Sequence, residues 1–386
     1  MQKSDYMKKE MAVMKKYLLI ILLALAVVAL LIGSCSKAGV STTSQAPASS
    51  TAAPPPAAGA THLVFNNWFQ PPGVTDFSLI FEQFGKDFEA ATGGRYTVEV
   101  VHGGALAGVP DAFDAVNNGI ADMGVFVPQD TNAPVPMYNL FTLPWATATC
   151  TQASLAQKAV WKKGYLDKDL NNVRLMFMFA STSQDDLLTA DPINSLADLK
   201  GYKIGMGGGV RIDLYKSLGA VPVFSGPSDV YSMIQKGIVK GSFYSAWGVY
   251  MTHEEEFLHY VINPLRFGRV SMPIGINKDV YNKMPDDVKK IVDTMDANDK
   301  YTRMCGDFMT TDYEKVLGQY LDSGDGKLVD WSAADIAQVN SAFAEITQKV
   351  IADTAAQGLP AKAMVDDYYN ALKAQGVDNP IIGYTP

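Results

Sequence analysis

The sequence predicts an α/β fold with two domains, on three observations. From His62 to Phe126, strand-like and helix-like segments alternate, the pattern of a parallel sheet covered on both faces. The 326 residues from Thr61 to Pro386 are enough for two cores. In Asp198–Tyr250, an alternating strand, Tyr202–Met206, delivers Gly207, Gly208 and Gly209 to a helical pattern, Val210–Leu218, closed by Gly219. Free N–H groups at such a helix start point at a ligand and favour anions, although the same turn also serves as a plain connection.

The N-terminus sets the compartment. Lys15 and Lys16 precede Tyr17–Ile32, 16 almost uninterrupted apolar residues, short for a membrane span and suited to a signal peptide over residues 1–34. Ile32-Gly33-Ser34-Cys35 resembles a lipobox, which implies lipidation at Cys35; the alternative is an uncleaved anchor. Met14 reads as a natural start, which would make residues 1–13 an upstream extension. Residues 35–60 add a Ser/Thr/Ala/Pro tether with Lys37 as its single charge, too polar to order itself. The globular part is therefore expected outside the cytoplasmic membrane and anchored to it.

Loss of residues 1–34, with five Lys against Asp5 and Glu10, takes the formal charge from −8 to −11. So acidic a body lacks the positive stripe that nucleic acid requires. Cys150 and Cys305 read as two buried thiols, with a disulfide as the alternative. No Cys/His cluster has metal-ligand spacing: His253 and His259 are six apart, on different helix faces, and 253–259 reads as a solvated acidic helix. There is no GxSxG, P-loop or GxGxxG, and Asp185 and Asp186, adjacent in an extended segment, point to opposite sides. The chain reads as a binding protein without cofactor or metal; an extracytoplasmic α/β enzyme is the rival.

In the first domain, His62–Trp68 alternates as a strand and Asp76 is placed to cap a helix reaching Ala91, with Phe77, Ile80, Phe81, Phe84 and Phe88 at helical spacing. Tyr96–Val101 and Gly119–Phe126 supply further strands. Ligands of parallel sheets sit beyond the carboxyl ends of the strands, which puts Trp68 and Phe126–Gln129 at a candidate cleft; ordinary packing is the alternative for Trp68.

His102–Gly108 and Val116–Gly124 resemble the N-terminal signature of the TRAP-transporter solute-binding proteins (DctP type), and Leu140–Trp145 is similar to that family's Pro-containing segment. Arg174–Ala180 reads as a strand buried on both faces that crosses between domains. Ile193–Gly201, Leu218–Val223, Asp229–Gly241 and Ile274–Pro285 match the family again, in order.

The resemblance implies a two-lobed periplasmic-binding-protein-like fold (class II type). Residues 61–185 plus about 270–300 would form lobe 1 and 186–269 lobe 2. The helical pattern from Pro285 would be one helix over 285–322 spanning both lobes. Helices within 323–386, one capped by Ser332 and running to about Ala356 and one over Ala361–Ala374, would pack outside. It further implies a lipid-anchored, monomeric receptor that hands a small organic solute to TRAP permease subunits, with a sensor in a signalling complex as the alternative role.

The departures from the family are informative. The Arg that pairs with the ligand carboxylate in dicarboxylate- and sialate-type members is Gly205 here, the usual pocket Asn is Tyr244, and a further Arg is replaced around Gln184-Asp185-Asp186. Arg211, six residues past Gly205, either recovers the charge or caps the surface. The expected ligand-binding residues are Trp68, Phe126, Gln129, Gln184, Asp185, Gly207, Gly208, Arg211, Phe224, Tyr244 and Trp247. Such walls favour an aromatic or bulky organic acid, or a neutral polar solute, over a C4-dicarboxylate.

Overall fold

The computed structural model describes residues 59–131, 134–144, 148–181, 187–262, 269–378, 380, 384 and 386. The apolar leader, Cys35, the tether through residue 58, Gln184 and Asp185 lie outside them.

In the first lobe, β1 (Thr61–Asn66) runs parallel to β2 (Tyr96–Val101) and to β3 (Met123–Val125), with Phe65 opposite both Val100 and Met123. Helix α1 (Ser78–Ala91) crosses from β1 to β2. Its Phe81, Phe84 and Phe88, with Phe77 just before it, are fully buried, each burial worth about 2 kcal/mol. Asp76 does not cap this helix: the N-cap position is Phe77, without a side-chain cap. The Phe77 ring instead packs on Phe81 and Phe179, each at 5.3 Å, so core burial sets the helix start. Helix α2 (Ala112–Asn117) precedes β3, and helices α3 (Pro136–Asn139) and α4 (Cys150–Trp161) lead to β4 (Val173–Ala180).

The second lobe contains β5 (Leu187–Thr189), β6 (Lys203–Met206), helix α5 (Val210–Ser217) and β7 (Val221–Phe224). Helix α6 (Pro227–Gln235), β8 (Gly241–Ser242), helix α7 (Ser245–Met251) and β9 (Tyr260–Ile262) follow. The chain returns to the first lobe in β10 (Ser271–Asn277), antiparallel to both β3 and β4, which completes the order β2-β1-β3-β10-β4. The register slips at Ile274/Gly275, where a Cβ on Gly275 would lie 2.4 Å from Val173, so the bulge requires glycine.

The acidic stretch is not a solvated helix. Glu254–Glu256 form a single 3₁₀ turn, and Glu254 is fully buried beneath α7.

The long helix is interrupted. Helix α8 (Lys278–Lys283) and helix α9 (Asp286–Thr294) are followed by a turn before α10 (Lys300–Asp322), although the apolar periodicity runs on. The cause is polar. The Asp296 carboxylate accepts the N–H groups of Tyr301 and Thr302 at 2.7 and 3.2 Å and the Thr302 hydroxyl at 2.6 Å, capping α10, while Asp299 adopts a left-handed φ of 57°. Lys158 of α4 clamps this turn at 2.6 Å to Asp296 and 2.7 Å to Asp299. Helix α10 alone is about 34 Å long at 1.5 Å per residue. It buries Tyr301, Cys305 and Met309 in the first lobe's core and Tyr320 in the second's, so it does span both lobes.

A second correction concerns 323–386. Its first element is a strand, β11 (Lys327–Val329), which joins the second sheet parallel to β9 and gives the order β11-β9-β5-β8-β6-β7. Helix α11 (Ala333–Ala356) starts at Ser332, whose hydroxyl accepts the Asp335 N–H at 3.1 Å, and α12 (Ala361–Ala374) follows. One face of the pair is deeply buried: α12 packs on α4 of the first lobe and α11 on α5 of the second. Cys150 and Cys305 are both buried, and no disulfide joins them.

Candidate functional site

The carboxyl ends of β1 and β3 in the first lobe and of β6, β7 and β8 in the second carry the candidate residues. Two of these chain ends meet directly. The Pro128–Asp130 turn after β3 lands on the glycines after β6. The Asp130 carboxylate accepts the Gly208 N–H at 2.9 Å and a hydrogen bond from the Arg211 guanidinium, and Arg211 Nε–H donates to the Gly208 carbonyl at 2.9 Å. Arg211 is 1% exposed and Asp130 6%, so this ion pair between lobes lies out of water.

The glycines are there for this contact. A Cβ on Gly207 would lie 2.2 Å from Asp130 Oδ1 and 2.7 Å from Arg211, and one on Gly208 would lie 2.4 Å from the Gln129 carbonyl. Gly207, Gly208 and Arg211, expected to hold a ligand, thus hold the turn of the opposite lobe. At Gly205, where the resemblance implies an arginine, a Cβ would lie 3.0 Å from Val230, which leaves a large side chain no room without repacking.

The aromatic residues divide into two groups. Trp68 stacks on Phe69 at 3.8 Å, and Phe69 meets the edge of Trp247 at 6.3 Å, so rings from both lobes form one cluster. Phe224 is 47% exposed, and its ring edge lies 3.4 Å from where a Gly208 Cβ would be. The Tyr244 hydroxyl donates to the Ser225 carbonyl, and burial pushes its pKa well above the usual tyrosine value. Phe126 has to be moved from the wall to the core: it is fully buried, edge-on to Phe113 at 5.2 Å. Successive side chains here point to opposite faces of the sheet, and both faces are covered: Phe126 joins one core and Val125 and Val127 the other.

Buried polar atoms near the strand ends without a hydrogen-bond partner among the described residues include Trp68 Nε1, Gln129 Oε1 and Asn139 Oδ1. Gln129 Nε2 donates to the Tyr138 carbonyl at 2.9 Å, which fixes the amide with its oxygen unpaired. Asn139 Oδ1 lies 3.1 Å from a Cβ built on Gly209, at the start of α5.

Two networks hold these groups in place. The Asp169 carboxylate accepts the N–H groups of Met137 and Tyr138 at 3.0 and 3.2 Å and so fixes α3, which carries Asn139; burial raises its pKa to about 6 against those two bonds. Asn67, next to Trp68, donates to Ser78 at 2.8 Å and to His102 Nδ1 at 2.9 Å. His102 therefore carries its proton on Nε2, facing Glu82 at 3.2 Å.

Sequence reasoning missed Asp130 and Asn139. The signal for Asp130 was a lone carboxylate closing the buried run Val125–Gln129; Asn139 had none. Among the described residues no group of His, Cys, Asp and Glu could hold a metal, and no helix is long and apolar enough to cross a membrane.

Two α/β lobes that meet at their strand ends across aromatic walls define a class of proteins that bind a small solute between lobes. Residues 71–354, well over half of the chain, match the family model of the bacterial extracellular solute-binding proteins, family 7 (DctP), and the chain belongs to that family, whose members are receptors rather than enzymes. A TRAP periplasmic solute-binding protein from Desulfovibrio salexigens, solved as an open complex, is 26% identical, with a TM-score of 0.68 over 83% of this chain and 98% of that one. A Bordetella bronchiseptica protein solved with (R)- and (S)-mandelate is 22% identical, with a TM-score of 0.72 over 82% and 99%. One from Rhodoferax ferrireducens, with copurified benzoate, is 16% identical, also with a TM-score of 0.72 over 82% and 99%. These last two likenesses concern the fold alone. YiiZ of Salmonella typhimurium is 24% identical over 179 residues, 46% of this chain, and the chain spans only 55% of that relative.

Proposed function

We propose that the chain is the extracytoplasmic receptor of a TRAP-type transporter, closing on an aromatic or otherwise bulky organic acid and delivering it to the membrane permease. The observation that carries this is the cluster of rings from both lobes, Trp68, Phe69 and Trp247, beside buried polar atoms without partners. Such a surface matches a flat solute with a few polar groups. Mandelate and benzoate in two relatives of the same fold support it. The solute is held by Trp68, Gln129, Phe224, Tyr244 and Trp247, with Asn139 added; Gln184 and Asp185, outside the described residues, complete the proposed set. Cys35 anchors the monomeric receptor to the membrane through its lipid.

Mass spectrometry of the solute released by mild denaturation tests the ligand class. A stoichiometric aromatic acid is expected; stoichiometric succinate, malate or fumarate overturns it. Retention of the wild type, and release of Cys35→Ala, from the membrane fraction checks the anchor.

A further inference from the structure

Asp130 reaches from the first lobe into the second and takes up the positive position that α5 offers. It accepts the Gly208 N–H just before the start of that helix and pairs with Arg211. Both side chains are buried, and Gly207 can be nothing larger while Asp130 is there. A carboxylate, a guanidinium and a backbone N–H are the components of a carboxylate site, and here the carboxylate belongs to the protein.

We infer that Asp130 is the specificity-determining residue of the cleft: a tethered anion that fills the carboxylate position of the second lobe and excludes a solute carboxylate from it. This rests on the receptor reading above and deepens it. With Arg211 already neutralised, a second acidic group on the solute gains no cation at this position and meets the charge of Asp130 instead. Discrimination against dicarboxylates is thus built from repulsion as well as from a missing partner. What the solute brings here is a hydrogen-bond donor, since Gln129 Oε1, on the neighbouring residue, and Asn139 Oδ1, across Gly209, are acceptors without partners. The class is a monocarboxylic aromatic acid carrying a hydroxyl or amide N–H, its carboxylate held away from Arg211.

The test is rescue by a free carboxylate. Thermal melts of wild type, Asp130→Ala and Asp130→Ala/Arg211→Met are compared in sodium acetate and in sodium chloride at equal ionic strength. Acetate is expected to raise the melting temperature of Asp130→Ala saturably and to leave the other two unmoved. Asp130→Ser, which vacates the carboxylate position and keeps a small polar group on the turn should the alanine variant not fold, is expected to bind succinate about tenfold or more tightly than wild type by calorimetry. No acetate effect on a folded Asp130→Ala, or unchanged succinate affinity in Asp130→Ser, overturns the inference. If wild type releases no solute yet acetate rescues Asp130→Ala, the receptor reading fails and the tethered anion stands.

Discussion

Trp247 of α7 donates its indole N–H to Asp312 of α10 at 2.5 Å, while its ring meets Phe69 of the first lobe edge-on. One side chain thus joins the wall of the second lobe, the lobe-spanning helix and the ring cluster of the first lobe. Asp312→Ala is expected to leave a buried indole N–H without a partner and to cost about 1–3 kcal/mol. Because the same tryptophan lines the proposed cleft, solute affinity should fall with stability, whereas Trp247→Phe, which removes the N–H itself, should lose affinity more than stability. Urea denaturation and calorimetry on the two variants separate these effects.

The approach of the lobes depends on glycine at 207. An alanine there would put its Cβ 2.2 Å from Asp130 Oδ1, far inside contact distance. Each lobe keeps its own core, so Gly207→Ala should fold, with closure opposed by about 1–3 kcal/mol, the usual cost of overpacking. The expected outcome is solute binding weakened about tenfold and a larger radius of gyration by small-angle scattering. An unchanged radius and affinity would mean that the Asp130 turn moves aside without cost.

Local signals and distant partners differ in how much of this could be read from the chain. The start of α11 at Ala333 was legible because Ser332 caps it within one turn, and Gly219, at a φ of 87°, stops the segment of α5 for an equally local reason. The break between α9 and α10 was not: the apolar spacing continues through it, and what breaks it is Asp296, stabilised by Lys158 from another helix. Arg211 could be read as a charge at a helix start, but its role depended on Asp130, 81 residues earlier and in the other lobe. Gly207 reads from sequence as part of a helix start that offers N–H groups to an anion, and glycine there marks a close approach without saying that the anion is Asp130 of the chain itself. Phe126 lies at the carboxyl end of β3 as the sequence implies, but both faces of that sheet are covered there, so its ring is buried in the core with Phe113 while Val125 and Val127 are buried on the other face.

The buried carboxylates set the pH response. Burial raises the Glu254 pKa from 4.5 to about 7, against a hydrogen bond from the Thr252 hydroxyl at 2.9 Å, and one carboxylate oxygen has no partner. The folded state keeps a proton there that the unfolded chain releases above about 4.5. Stability from this site is therefore fully present below that pH and is lost as pH rises through about 7, by roughly 3 kcal/mol in all. Asp169, raised to about 6, acts with the same sign between about 4 and 6. Melting temperatures should thus fall between about pH 4 and 7, and Glu254→Gln should flatten most of the slope. A steeper slope in the variant would remove Glu254 as its source.

Lys158 and Asp296 form the buried support of α10. Lys158 Nζ also donates to the Asp296 carbonyl at 2.5 Å, so its ammonium is enclosed by acceptors from one turn. Asp296→Ala removes a buried charge partner and the N-terminal cap of α10 together. A loss of about 3–5 kcal/mol is expected, the usual cost of a buried ion left unpaired. Asp296→Asn can keep the cap through its amide oxygen and should lose less, while Lys158→Met removes the cation and leaves the cap. If the cap carries the stability, Asp296→Asn and Lys158→Met will both be much milder than Asp296→Ala in urea denaturation; if the ion pair carries it, all three will fall together. Because α10 joins the lobes, the loss should appear as a single cooperative transition shifted to lower urea, not as an early melt of one lobe.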